Sequence, residues 1–300
     1  MSDREPASQG GPATAPGASP SGSGPRGRGA GRNLKLAALT GFTLAAAAFG
    51  LLAVGPGPFF VLAAVIILGG QAEFYLAARR SGRDPAIPLG LVAGAVLLTG
   101  VYLRGERAAG LVLFLTLLFS FIWYLVPHGD ARDDADPAAD VAITVLGVAY
   151  VPLLGSFVAL LARHPEHGRG LVMAMIIATA VYDMAAYAGG SRFGRRQLAP
   201  TISPNKSVEG AITATLATVA LVSVPASFLG PWSIGQAALF CLLVSVAAPM
   251  GDLVESMIKR DFGIKDMGTI LPGHGGVLDR IDAMLFVAPA TYLSLRVFGL

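Results

Sequence analysis

The sequence predicts an all-α polytopic membrane protein with about nine transmembrane helices. Three observations carry this. The 300 residues are 54% hydrophobic and only 14% charged, whereas a soluble domain carries about 25% charged residues. A water-soluble fold of this length has too little interior to hide so much apolar surface. The charges are also excluded from long runs: none occurs from Leu36 to Ala72 or from Gly210 to Gly251.

A membrane-spanning helix needs about 20 apolar residues, so each of those runs holds two spans. The first breaks at Gly55-Pro56-Gly57-Pro58 and the second near Gly230-Pro231, where helix geometry fails. The same reading along the chain places spans near 34–54, 58–78, 86–103, 108–126, 138–162, 170–189, 209–229, 232–258 and 279–298. The fifth is interrupted by Pro152. Residues 1–33 are rich in Gly, Pro, Ser and Ala and read as a disordered cytoplasmic tail, because such a stretch cannot bury enough surface to offset its ordering entropy. Residues 34–137 read as an N-terminal set of transmembrane helices and 138–300 as a catalytic transmembrane region.

Nine spans put the termini on opposite sides. With that topology, 17 of the 22 Lys and Arg residues fall on the side of the N-terminus, which the positive-inside rule makes cytoplasmic. A net charge of +3 gives no argument for nucleic acid. The single cysteine, Cys241, excludes an intrachain disulfide. The acidic run Asp130, Asp133, Asp134, Asp136, Asp140 lacks the turn glycine and terminal glutamate of a calcium loop and reads as a solvated linker. Glu73 lies within two turns of Arg79 and Arg80, with which it can pair near the interface.

Polar residues are costly inside a bilayer, so their clustering carries information. They gather in two stretches on the inner side, 183–210 and 252–282. In the first, Asp183 and Tyr187 share a helix face and lead into a Gly-rich, Arg-bearing turn, then Ser203 and Lys206. In the second, Asp252, Glu255, Ser256 and Lys259 form one stripe of a helix end. Asp279 and Asp282 stand three apart on the next helix, which returns from the same membrane face. Two adjacent helices therefore aim several carboxylates at one volume, and a divalent cation resolves their repulsion. Hard oxygen donors favour Mg²⁺ over Zn²⁺. Between them Pro272-Gly273-His274-Gly275-Gly276 reads as a concave anion nest leading into a helix N-terminus. Metal, nest and cations together are what phosphoryl or nucleotidyl transfer requires. The chain prefers arginine 18 to 4, yet Lys206, Lys259 and Lys265 all lie in these stretches, which suits a compact ammonium approaching phosphate as a point charge.

The run from Ser256 to Asp282, with Lys259-Arg260, Lys265-Asp266, Leu271-Pro272, His274-Gly275-Gly276 and Asp279-Arg280-Ile281-Asp282, resembles the signature of the phosphatidate cytidylyltransferases, or CDP-diacylglycerol synthases. Ser203-Pro204-Asn205-Lys206-Ser207-Val208-Glu209-Gly210 is similar to a second block of that family, with Ser207 in place of threonine. The resemblance covers roughly residues 170–300. It implies an integral-membrane enzyme of phospholipid biosynthesis that joins CTP to phosphatidate, releasing pyrophosphate. It implies Asp252 and Asp279 as holders of Mg²⁺, with a companion cation such as K⁺, and Glu255 and Asp282 as supporting ligands. Lys206, Lys259, Arg260, Lys265 and Arg280 would neutralise phosphate charge, with Asp266 beside Lys265. His274, Gly275 and Gly276 would shape the nest, and Asp183 and Ser203 would complete the pocket wall. It also implies a homodimer in the cell membrane with its site facing the cytoplasm, between the C-terminal helices. Two other readings share these residues: a CTP-dependent transferase with another lipid acceptor, and a cation-coupled transporter. The near absence of acidic groups in the outer halves of the spans counts against the transporter.

Overall fold

The computed structural model describes residues 43, 45–126, 136–268 and 275–300. Ten α-helices account for almost all of it: α1 (Ala45–Val54), α2 (Pro56–Arg80), α3 (Ile87–Arg104), α4 (Arg107–Leu125), α5 (Pro137–Val148), α6 (Leu154–Ala162), α7 (Gly168–Phe193), α8 (Val208–Leu229), α9 (Ile234–Asp261) and α10 (Leu278–Phe298). A π-helical turn, Ala149–Leu153, fuses α5 and α6 into one run. That run and seven other helices are long and apolar enough to cross a membrane, while α1 is a shorter apolar helix. The chain is an all-α polytopic membrane protein. Of the expected first span, 34–54, only residues 43 and 45–54 are described, and the expected tail, 1–33, lies wholly outside the described residues.

The helix ends follow local chemistry. Pro56 begins α2 one residue after α1 ends, using the position where a missing N–H costs nothing. Asp136 caps α5 by accepting from the Ala139 N–H at 3.2 Å, and Asp140 accepts from the Asp84 N–H at 2.8 Å. The expected solvated linker therefore ends in two structural aspartates; Asp130, Asp133 and Asp134 lie outside the described residues. Pro152 does not break the fifth span. The π-helical turn absorbs it, a common way for a helix to carry an irregularity without ending. Ser207 caps α8 through the Gly210 N–H, and Ser233 with Gln236 forms a capping box on α9.

One element departs from the all-helical expectation. β1 (Gln197–Ala199) and β2 (Ser203–Ser207) form a small antiparallel hairpin between α7 and α8. It is closed by Val208 N–H donating to the Arg196 carbonyl and by the Glu209 carboxylate, which accepts the Arg195 and Arg196 amides at 3.0 and 3.1 Å.

Packing joins residues on both sides of position 137. One core joins Ile67, Phe74, Tyr75 and Leu98 to Tyr150, Ile258, Phe262, Met267, Leu278 and Leu285. Thus α2 forms the wall behind α9 and α10. A second core, with Met175, Tyr182, Phe240, Val244 and Val287, ties α7, α8, α9 and α10 together. In contrast, α4 is the least buried span and presents Phe114, Phe119, Phe121 and Leu125 outward, as a lipid-facing helix does.

Candidate active site

Four glycines decide how closely the helices meet around the polar cluster. On α7, a Cβ at Gly189 would strike the Thr213 side chain of α8. On α9, a Cβ at Gly251 would lie 2.8 Å from Ala283 Cα on α10. Gly268 and Gly276 do the same service for Glu73 of α2. Small residues at these positions bring α7, α8, α9 and α10 together at one level, where the hairpin adds β2.

A cavity of about 630 Å³ opens there. Its polar lining includes Asp183 and Tyr187 from α7, Lys206 from β2, Asp252 from α9, and Asp279, Arg280 and Asp282 from α10. Ala186, Leu198, Pro249 and Met284 make its apolar part. The two stretches singled out in the sequence therefore do converge on one volume.

Lysines and carboxylates interlock in and beside it, with Lys259 and Glu255 off its lining. Lys206 Nζ donates to Asp252 Oδ2 at 2.6 Å. Lys259 Nζ donates to Glu255 Oε2 at 2.5 Å and to Asp279 Oδ1 at 2.8 Å. Asp279 Oδ2 accepts from the amides of Gly276 and Met267 at 2.9 and 3.1 Å. The Asp282 carboxyl meets that of Asp252, with Glu255 close by. Pairs of this kind, mostly withdrawn from water, are strong only when all their partners are present.

Several expected residues stand elsewhere. Arg260, Lys265 and Asp266 are exposed, and neither they nor Ser203 line the cavity. Arg260 lies in the last turn of α9, and Lys265 and Asp266 follow the helix end at Asp261. Ser203 sits at the far end of β2, opposite Ala199. His274 lies outside the described residues. Gly275 adopts φ +81°, a conformation that glycine takes without strain. Of the amides expected to cradle an anion, that of Gly276 is engaged by Asp279 and that of Leu278 by Glu73 Oε2 at 2.9 Å. Glu209 likewise occupies the Arg195 and Arg196 amides of the other turn. Among the described residues, carboxylates thus take the amides of Gly276, Leu278, Arg195 and Arg196.

Comparison with known proteins places this architecture. The cytidylyltransferase family model matches residues 35–298. The chain belongs to the cytidylyltransferase family. Among cytidylyltransferase relatives, the phosphatidate cytidylyltransferase of Mycobacterium leprae is 37% identical over 273 residues, covering 85% of each chain. That of Bacillus subtilis is 32% identical over 285 residues, covering 89% of this chain and 99% of its own. That of Helicobacter pylori is 42% identical over 136 residues, 44% of this chain and 49% of its own.

Two residues packed beside the candidate site were not legible as such in the sequence. Glu73 is buried at 1% exposure against the loop before α10, not paired with Arg79 near an interface; Arg79 pairs with Asp84 instead. Tyr150, in the π-helical turn, has Glu255, Asp282, Asp252 and Asp279 as electrostatic neighbours. Its hydroxyl is buried without a hydrogen-bond partner among the described residues. An interrupted helix at Pro152 was the available signal for Tyr150, since π-turns gather at functional sites. Glu73, one charge after 37 uncharged positions, was the signal for itself.

The donor chemistry suits a hard divalent cation. Glu255 Oε1 is buried and lacks a hydrogen-bond partner among the described residues, and the Asp252 and Asp282 carboxyls face each other. Among the described residues, no group of three His, Cys, Asp or Glu side chains is arranged to hold a metal ion as it stands. Lys206 and Lys259 take up the nearest carboxylate oxygens.

Proposed function

We propose that the chain is a phosphatidate cytidylyltransferase, which converts CTP and phosphatidate to CDP-diacylglycerol and pyrophosphate. The observation that carries this is the cavity itself. Its lining combines Lys206, Arg280 and the carboxylates with Ala186, Leu198 and Met284, so a polar headgroup and the start of an acyl chain can share it. Relatives named for this activity align over most of their lengths.

In the reaction a phosphate oxygen of the lipid attacks the α-phosphorus of CTP. A new P–O bond forms, the bond between the α-phosphorus and the bridging oxygen breaks, and pyrophosphate leaves with the electron pair. The nucleophile is already an anion, so no general base is needed. The work is therefore positioning and charge neutralisation. Lys206 and Arg280 face the cavity and would meet the substrate phosphates; Lys259 holds Asp279 and Glu255 in place. Asp252 and Asp279, supported by Glu255 and Asp282, would hold Mg²⁺, which when bound supplies positive charge to the triphosphate. Asp183 and Tyr187 form the wall contributed by α7.

The N-terminus and the site face the cytoplasm in this reading, supported by the Lys and Arg asymmetry and by the location of CTP. Purified protein supplied with CTP, Mg²⁺ and phosphatidate should release pyrophosphate and form a CMP-bearing lipid, and chelation should stop it. Turnover with another lipid acceptor but none with phosphatidate would replace this reading by the related transferase.

A further inference from the structure

Glu73 belongs to α2, yet it acts 205 positions away, where its Oε2 accepts the Leu278 N–H at the start of α10. A Cβ at Gly276 would lie 2.6 Å from that oxygen and 2.8 Å from the Gly268 nitrogen, and a Cβ at Gly268 would collide with Glu73 Oε1. Neither glycine has a positive φ. Their missing side chains make room for the carboxylate, which is inserted between the two ends of the 268–276 connection. On the other side of the same connection, Asp279 Oδ2 binds the amides of Met267 and Gly276. Its second oxygen, Oδ1, holds Lys259.

The geometry points to Glu73 as a positioning residue. By anchoring Leu278 and occupying the gap between Gly268 and Gly276, it fixes the register of the chain that presents Asp279, and through Asp279 the seat of Lys259. A carboxylate suits the place for two reasons. It accepts an N–H that α10 cannot satisfy internally, and its charge is favoured at a helix N-terminus. The inference rests on the activity proposed above, because its consequence is a displaced Asp279 in that site. It gives the N-terminal half of the chain a direct part in the site.

The test uses the full chain in detergent with two variants, Glu73→Gln, which keeps an acceptor oxygen, and Glu73→Ala. The expected result is that kcat falls about tenfold in the glutamine variant and further in the alanine variant, the scale of one charge-assisted hydrogen bond. KM for CTP stays near wild type, since Glu73 does not line the cavity. Hydrogen exchange should accelerate at the Met267, Gly276 and Leu278 amides in Glu73→Ala while residues 285–295 of α10 stay protected. A wild-type kcat in Glu73→Ala overturns the inference. So does exchange that rises equally along α2 and α10, which would mark Glu73 as a general packing residue. If the unmutated chain fails to turn over CTP with phosphatidate, the activity reading falls instead, and the exchange pattern still decides whether Glu73 holds the connection.

Discussion

Replacing Gly251 by alanine should inactivate the site without touching one of its polar groups. The added Cβ would sit 2.8 Å from Ala283 Cα and 3.0 Å from the Asp282 carbonyl carbon, and would clash with the Asp282 oxygen. Carbon atoms in contact prefer about 3.5–4.0 Å, so α9 and α10 must part by roughly 0.7 Å or more. All three neighbours are backbone atoms, so no rotamer change relieves the clash. Overpacking of this kind costs about 1–3 kcal/mol. The larger effect is on geometry, because Asp252 is the next residue after Gly251 and Asp282 is one of the groups pushed away. A displacement near 1 Å can lower turnover about 10²-fold. The assay is incorporation of labelled CTP into lipid, run beside thermal unfolding in the same detergent. A variant that remains folded with kcat within about twofold of wild type would refute the argument that this close approach sets the site.

Three other outcomes are expected. Asp279→Asn should abolish turnover while the chain stays folded, since an amide keeps the shape but loses charge toward Lys259; measurable activity would remove Asp279 from the proposed metal set. Lys206→Arg should lose at least about tenfold in kcat despite its retained charge, because a planar guanidinium cannot reproduce the compact ammonium contact with Asp252; wild-type kinetics would undo the point-charge argument. Tyr150→Phe removes a buried hydroxyl that lacks a partner, so stability should hold or rise by about 1 kcal/mol while kcat falls; a destabilised variant with normal kcat would make the hydroxyl structural.

Span positions were readable because bilayer burial needs length and lack of charge, both visible in one dimension. The break at Gly55–Pro58 and the one at Gly230-Pro231 appear where α2 and α9 begin. Convergence of the two polar stretches was readable too, since both follow helices running the same way. Less legible was anything set by contacts between distant helices. Lys265 and Arg260 share a motif with Lys259, yet both are exposed, Arg260 in the last turn of α9 and Lys265 beyond its end. The glycine loop suggested free amides; among the described residues, Asp279 takes that of Gly276 and Glu73 that of Leu278, and no spacing rule connects position 73 to position 278. The hairpin carrying Lys206 was hidden because a three-residue strand and a five-residue strand containing Pro204 give no alternating apolar pattern.

The interlocked lysines have a consequence for biogenesis. Asp183, Asp252, Glu255, Asp279 and Asp282 are set against Lys206, Lys259 and Arg280, a formal excess of two negative charges that one divalent ion would cancel. Ammonium groups thus serve as built-in counterions, and under the proposed reading a newly inserted chain would close its helices around the acidic cluster before any metal is bound.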